Sequence, residues 1–164
     1  MTHKAYLYKK KKNYDKGLEI VDELWEKNPK DLDVLNNKLY YHLYKGEKEE
    51  AIKAGNLLIE LDPGDGNFHD SFGEVLTEFS EYEEAVKILK KSLELDPIGW
   101  FTYNTYFQLA RSYKELGNYD LARESLNSGI RATQTCFCSM EMRKEGKDKK
   151  QKILAEIEEL EAKS

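Results

Sequence analysis

Glu81–Pro97 reads EYEEAVKILKKSLELDP, and its punctuation recurs along the chain at a fixed interval. Pro29, Pro63 and Pro97 are 34 residues apart, and so are Gly17, Ala51 and Ala85. Within the stretch, Ala85, Val86, Leu89 and Leu93 fall at helical spacing. Pro97 closes the helix, because proline has no N–H to donate and its ring clashes with the preceding turn. Self-similarity at this period marks a solenoid, in which each supersecondary unit buries its apolar face on a neighbour rather than in one closed core. The expected fold class is therefore all-α.

Working outward, Asn67–Phe79 is predicted as the first helix of this unit, with Phe68, Phe72, Val75, Leu76 and Phe79 on one side. Glu83–Asp96 is its second helix. Alignment on the prolines gives four units, about 1–31, 32–65, 66–99 and 100–135, followed by a C-terminal segment, 136–164. The fourth unit carries an insertion: Ala85 to Ala122 is 37 residues, and the extra ones fall around GWFTYNTYF. The insertion is expected to lengthen that unit's first helix. Tyr103 and Tyr106 would then point into the stack and Trp100 and Phe101 cover its edge. Helical spacing cannot turn all these rings the same way, so Trp100 and Phe101 also stand as a docking patch, with Phe107 accessible beside them. After Thr133 the pattern fades, and Gly146 is expected to interrupt or kink the chain there. Lys147–Ala162 reads as an amphipathic capping helix, with Ile153, Leu154, Ile157 and Leu160 covering the last apolar face.

Composition narrows the function classes. The chain is 40% hydrophobic and 35% charged, which fits a folded helical protein and not a disordered one. A formal charge of −5 leaves no footprint for nucleic acid, and the short basic run Lys9–Lys12 reads as a solvated helix end. No apolar run approaches the roughly 20 residues needed to span a bilayer, so no membrane insertion is expected. Cys136 and Cys138 lie too close together to staple distant parts of the chain, and the start has no secretory signal; both suggest a cytoplasmic protein. His3, His42 and His69 lie in different units without ligand spacing, and the glycines of Asp62–Asn67 are not followed by the Lys-Ser/Thr of a phosphate loop. The reading is of no enzyme, no metal and no cofactor.

The recurring columns resemble the tetratricopeptide repeat family. Gly73, Leu76, Ala85, Leu89 and Pro97 meet its pattern in the third unit; Ala5, Tyr8, Gly17, Val21 and Pro29 in the first; Ala51 and Pro63 in the second; and Ala110, Tyr113, Gly117, Ala122 and Leu126 in the fourth. Tyr14, Tyr82 and Tyr119 share a further column at the turn between helices. The resemblance covers residues 1–134 and implies a right-handed α-α superhelix of helix-turn-helix repeats with a C-terminal capping helix. Small residues at Gly17, Ala51, Ala85 and Ala122 allow close helix approach. The second unit departs from the pattern, with Leu39 where a small residue is preferred and Gly55 where a large one is. Leu39 or His42 is expected to fill the space above Gly55.

Asp70, Glu74 and Glu78 recur every four residues and form an acidic stripe on one helix face, either simply solvated or relieved by a basic ligand. The resemblance implies that this face lines a concave groove. By that carry-over Tyr6, Asn36, Asn37, Tyr40, Tyr44, Asp70, Glu74, Glu78, Phe107 and Arg111 form a partner-binding site, with the tyrosines and Phe107 as aromatic anchors. The family's carboxylate clamp for chaperone tails is not matched: Thr2 and Tyr6 stand at its Lys and Asn positions, Asn37 fits its middle, and Ser71 or Gln108 stands in place of Arg. The expected function is a non-enzymatic adaptor holding a protein or peptide partner, neutral to basic at the groove centre. The alternative is a structural scaffold, a homo-oligomer joined through the aromatic insertion or the last helix.

Overall fold

A computed structural model describes residues 12–135 and 140–163, and the structured elements among them are all helices. In chain order they are α1 (Tyr14–Lys27), α2 (Leu32–Lys45), α3 (Lys48–Leu61), α4 (Gly66–Glu78), α5 (Tyr82–Leu95), α6 (Thr102–Glu115), α7 (Tyr119–Thr135) and α8 (Met140–Glu161). They divide between two compact units, 1–64 and 65–164. No helix among the described residues is long and apolar enough to cross a membrane.

The prolines act as the sequence suggests. α1, α3 and α5 each stop two residues before one, and the residues between, Asn28, Asp62 and Asp96, share one conformation, with φ of −146°, −138° and −141°. Each donates its backbone N–H one turn back, to the carbonyls of Leu24, Leu58 and Ser92, so the helix is closed before proline removes the next donor. Two of the following helices start on carboxylate caps: at α2 Asp31 accepts from the Val34 N–H, and at α4 Asp65 accepts from the N–H groups of Asn67 and Phe68. α6, with Phe101 at its N-cap, has no side-chain cap. The turns inside each helix pair repeat as well. Gly46, Ser80 and Gly117 occupy corresponding places, all in the left-handed region with φ of +74°, +63° and +74°. In each case the next N–H reaches back to close the preceding helix.

In the N-terminal unit α1 packs on α2 and α2 on α3. Leu18, Val21, Val34 and Tyr41 form one core cluster, with Leu24 and Trp25 against it. Gly17 is a close approach: a Cβ there would lie 2.1 Å from Cε1 of buried Tyr41. Leu39, His42 and Gly55 are all buried, and the His42 ring Nδ1 is 2.7 Å from a Glu47 carboxylate oxygen.

In the C-terminal unit α4 packs on α5, α5 on α6, α6 on α7 and α7 on α8. α6 touches both α4 and α8. α8 carries Ile153 and Ile157 into a cluster with Phe107, Ala110, Ala122 and Leu126, while Leu160 is partly exposed. It runs unbroken through Gly146, contrary to the expected interruption. That glycine is buried, and a Cβ on it would meet Thr133 Cγ2 at 3.3 Å and the Phe107 ring at 3.5 Å, so close packing accounts for it. The fourth unit's first helix is not lengthened either. α6 has 14 residues like α2, and most of the insertion enters the α5–α6 loop. Pro97 and Gly99 oppose helix there, and Asp96 holds the turn by accepting from the Ile98 N–H. Cys136 and Cys138 lie outside the described residues.

The turn column yields a stability prediction. Ser80 holds a left-handed conformation that costs a non-glycine residue about 1–2 kcal/mol. Glycine loses more entropy on folding, roughly 0.5–1 kcal/mol. Ser80→Gly should therefore stabilise the chain by about 0.5–1 kcal/mol in urea unfolding. A lower stability would show that the hydrogen bond from the Tyr82 hydroxyl to Ser80 Oγ outweighs the strain.

Candidate functional site

The N-terminal unit presents a tyrosine ladder on α2. Asn37, Tyr40 and Tyr44 follow one another at i, i+3 and i+7, which places them along one side of the helix. The Tyr40 and Tyr44 rings stack with centroids 6.1 Å apart, and Tyr14 of α1 adds a ring 5.3 Å from Tyr44. Asn37 donates to the Asp33 carbonyl one turn back, at 2.7 Å, and Asn36 is half-buried. Tyr6, Thr2, Lys9 and Lys10 lie outside the described residues.

In the C-terminal unit the acidic stripe of α4 forms a seam with α6. Thr105 Oγ1 donates to Asp70 at 2.6 Å, the Asn104 amide reaches Glu74 at 3.4 Å, and Arg111 pairs with Glu78. Thr77 and Ser112 hydroxyls meet between them at 3.1 Å. The expectation that Asp70 lies on an accessible face is corrected: it is 4% exposed and is spent on the helix–helix seam. Burial pushes its carboxyl from 3.8 up to about 7; the Thr105 hydrogen bond opposes that rise, and the charge of Glu74 adds to it. Glu74 is half-buried and Glu78 exposed.

Phe107 is likewise corrected as an accessible anchor. It is 2% exposed, because α8 lies over it, and Lys149 Nζ sits 5.9 Å from its ring centroid. Phe101 is buried too and leaves the proposed docking patch. Its ring folds under the α5–α6 loop, where a side chain on Gly99 would strike it. Tyr103 and Tyr106 are half-buried, whereas Trp100 remains 70% exposed, edge-on to Phe101.

The sequence reading missed the contribution of α8 to this face. Lys149, Lys152 and Ile153 join Glu74, Glu78 and α6 around a cleft of about 320 Å³, with Asn104, Gln108 and Arg111 along its middle. The signal was the i, i+3 spacing of the two lysines beside core Ile153. The amphipathic pattern alone gives the helix a covering role and its polar side no further one. Among the described residues no group of three or more His, Cys, Asp or Glu side chains is placed to hold a metal.

A tetratricopeptide repeat family model matches residues 32–65, 71–98 and 103–136, more than half of the chain. The chain belongs to the tetratricopeptide repeat family. It is 30% identical over 88 residues to the Hsp70-Hsp90 organizing protein of Triticum aestivum, and 30% identical over 112 residues to tetratricopeptide repeat-containing protein trd-1 of Caenorhabditis elegans. Those matches take in 54% and 66% of this chain but 15% and 14% of the two relatives, so the chain spans about a seventh of their length. Among solved structures it resembles MamA, with TM-score 0.66 and 20% identity over 100% of this chain and 99% of that one. It also resembles TTC0263, a thermophilic tetratricopeptide repeat protein of Thermus thermophilus, at TM-score 0.70 and 19% identity over 79% and 71% of the two chains. YrrB, described as a tetratricopeptide repeat protein with an unusual peptide-binding site, matches at TM-score 0.66 and 17% identity over 79% and 66%. At these identities the neighbours establish the fold alone. In tetratricopeptide terms α4 and α6 are the first helices of two successive repeats, and the cleft lies on the side they share with α8.

The buried carboxylate makes stability depend on pH with a definite sign. Between pH 3.8 and about 7 the folded chain holds a proton on Asp70 that the unfolded chain has released. The stability tied to this group is complete below pH 3.8 and is lost as pH rises through about 7. Asp70→Asn keeps an acceptor for Thr105 and cannot ionise. Its stability gain over the parent should widen from pH 4 to pH 7 by up to about 1.4 kcal/mol per pH unit. Urea unfolding across that range checks this, and a gain that does not vary with pH would contradict it.

Proposed function

We propose that the chain is a non-enzymatic interaction module that holds a peptide or helix of a protein partner against the first-helix side of its repeats, in a cytoplasmic setting. The observation that carries the reading is the cleft of the C-terminal unit, where three helices leave a space of about 320 Å³ with charged walls and apolar edges at Phe107 and Ile153. Family membership supports it, since tetratricopeptide repeats are interaction modules. The peptide-binding site named for YrrB, a protein of similar fold, supports the reading. Glu74 and Glu78 favour a neutral to basic ligand segment beside α4. The tyrosine ladder of α2 supplies rigid aromatic surface in the N-terminal unit. A chaperone tail is not the proposed ligand, despite the relative named above, because Asn37 is the one clamp position matched.

The test is affinity capture with the full chain, followed by direct titration of the captured partner. Glu74→Lys with Glu78→Lys should weaken binding at least tenfold and leave the helical circular-dichroism signal intact. Retention of full affinity at both low and physiological salt would reject the cleft as the binding surface.

Self-association is the second reading, and the α5–α6 loop favours it: Ile98 is 87% exposed and Trp100 70%. Exposed apolar surface of this kind marks interfaces. With Trp25→Phe, Trp100 reports alone. Its emission should be red-shifted and readily quenched in dilute solution. A blue shift that grows with concentration, alongside a rising mass in light scattering, would favour the scaffold reading, whereas a dilution-stable monomer with unchanged emission would exclude it.

A further inference from the structure

The cleft of the C-terminal unit is not uniformly acidic. α6 stands between α4 and α8, so the cleft has an acidic wall at Glu74 and Glu78 and a basic wall at Lys149 and Lys152. The two walls do not neutralise each other. Glu78 is paired with Arg111 of α6, Lys149 with Glu145 on its own helix, and Lys152 makes no ion pair among the described residues. Where α6 and α8 do close on each other, they do so through Lys114 and Glu156, with Ile153 and Ile157 buried nearby.

On the strength of the groove reading above, we propose that this cleft selects a short peptide segment of mixed charge. A cationic side chain lies against α4 and an acidic side chain against α8, with a small or apolar residue between them over the edges of Phe107 and Ile153. Size limits the ligand to a short segment. About 320 Å³ is at the low end of the roughly 300–1,000 Å³ of ligand clefts, room for a few side chains but not for a helix. Charge sets the order. A wholly basic segment is attracted by α4 and repelled by α8, a wholly acidic one the reverse, so each single-sign ligand meets one repulsive wall. The mixed segment meets two attractive ones. α8 therefore contributes to specificity as well as covering the last repeat.

Selection of random dodecapeptides, displayed with both ends fused so that no free terminus is present, tests this on the immobilised full chain. A parallel library with free C-termini distinguishes an acidic side chain from a chain-terminal carboxylate. Enriched sequences should pair Lys or Arg with Asp or Glu at a recurring spacing in both libraries. Lys152→Glu should abolish the acidic preference, keep the basic one, and weaken a selected peptide about tenfold. Lys152 is exposed, so the circular-dichroism signal should be unchanged. Selected peptides of a single sign, or an acidic preference seen only with free C-termini or indifferent to Lys152→Glu, would overturn the proposal. If such peptides still weaken on Glu74→Lys, the groove reading survives that failure. No enrichment, or enrichment insensitive to both substitutions, would sink the two together.

Discussion

Close approach of neighbouring helices is the constraint on which the rest of this structure depends. At Gly17 a single added carbon would overlap the Tyr41 ring, and at Gly73 it would lie 2.4 Å from a Leu89 methyl. Tyr41 and Leu89 are buried and fill the volume the glycines leave, so neither can retreat without opening a void elsewhere. Ala51, Ala85, Ala110 and Ala122 are all fully buried. Glycine in a helix costs about 1 kcal/mol in propensity, and two helices packed at this distance more than offset it through the surface they bury. The same nearness suits short polar side chains at the contacts between helices. Ser92 donates to the Gly66 carbonyl at 2.8 Å, and Thr77 meets Ser112 directly, where longer polar side chains would not fit.

That spacing also decides what becomes of the acidic stripe. The i, i+4 pattern of Asp70, Glu74 and Glu78 was plain in the sequence, but their partners were not. Asp70 meets Thr105 across 35 positions and Glu78 meets Arg111 across 33, close to one repeat period. In a stacked array the residue facing a given side chain sits about one period further on, and by that rule Thr105 and Arg111 face the stripe, which is thus partly used in the seam. The period alone does not show which member is buried. Asp70 is the one that loses its water, and its raised pKa follows from that burial first.

Prolines, small-residue columns, turn positions and helix pairs were legible because each is a local, recurring constraint. The misreadings share a different cause. Gly146 reads as a break by propensity, yet it is a contact point for Phe107 and Thr133, residues 39 and 13 positions away, and no local rule reports that. The insertion reads as extra helix because Tyr103, Tyr106 and Phe107 fall on adjacent ridges, but Pro97 and Gly99 direct most of it into a loop. Phe107 reads as groove surface because its position in the repeat is a groove position. It is covered because α8 lies over it, which its position in the repeat does not report.

α8 joins two roles that a repeat array usually keeps apart. Its Ile153 and Ile157 are separated by one helical turn and enter the core, while Lys149 and Lys152, at i−4 and i−1 from Ile153, border the cleft. On the proposed reading, stability and recognition thus come from adjacent stripes of one helix. Shifting α8 by a single residue would bring Lys152 and Glu156, or Leu154 and Glu158, to the core positions of the two isoleucines, burying a charge either way, so the apolar stripe fixes where the basic wall stands. The tie also runs through Phe107, which shares the core cluster with Ile153 and lies beneath Lys149. Substitutions of α8 that reach the isoleucines would disturb binding by unseating the helix. Those confined to Lys152 address the charge of the wall alone, since that side chain is exposed and bonds to no described neighbour. A cap held in this way sets the geometry of the last repeat's surface, and whatever binds there meets α8 as part of the site.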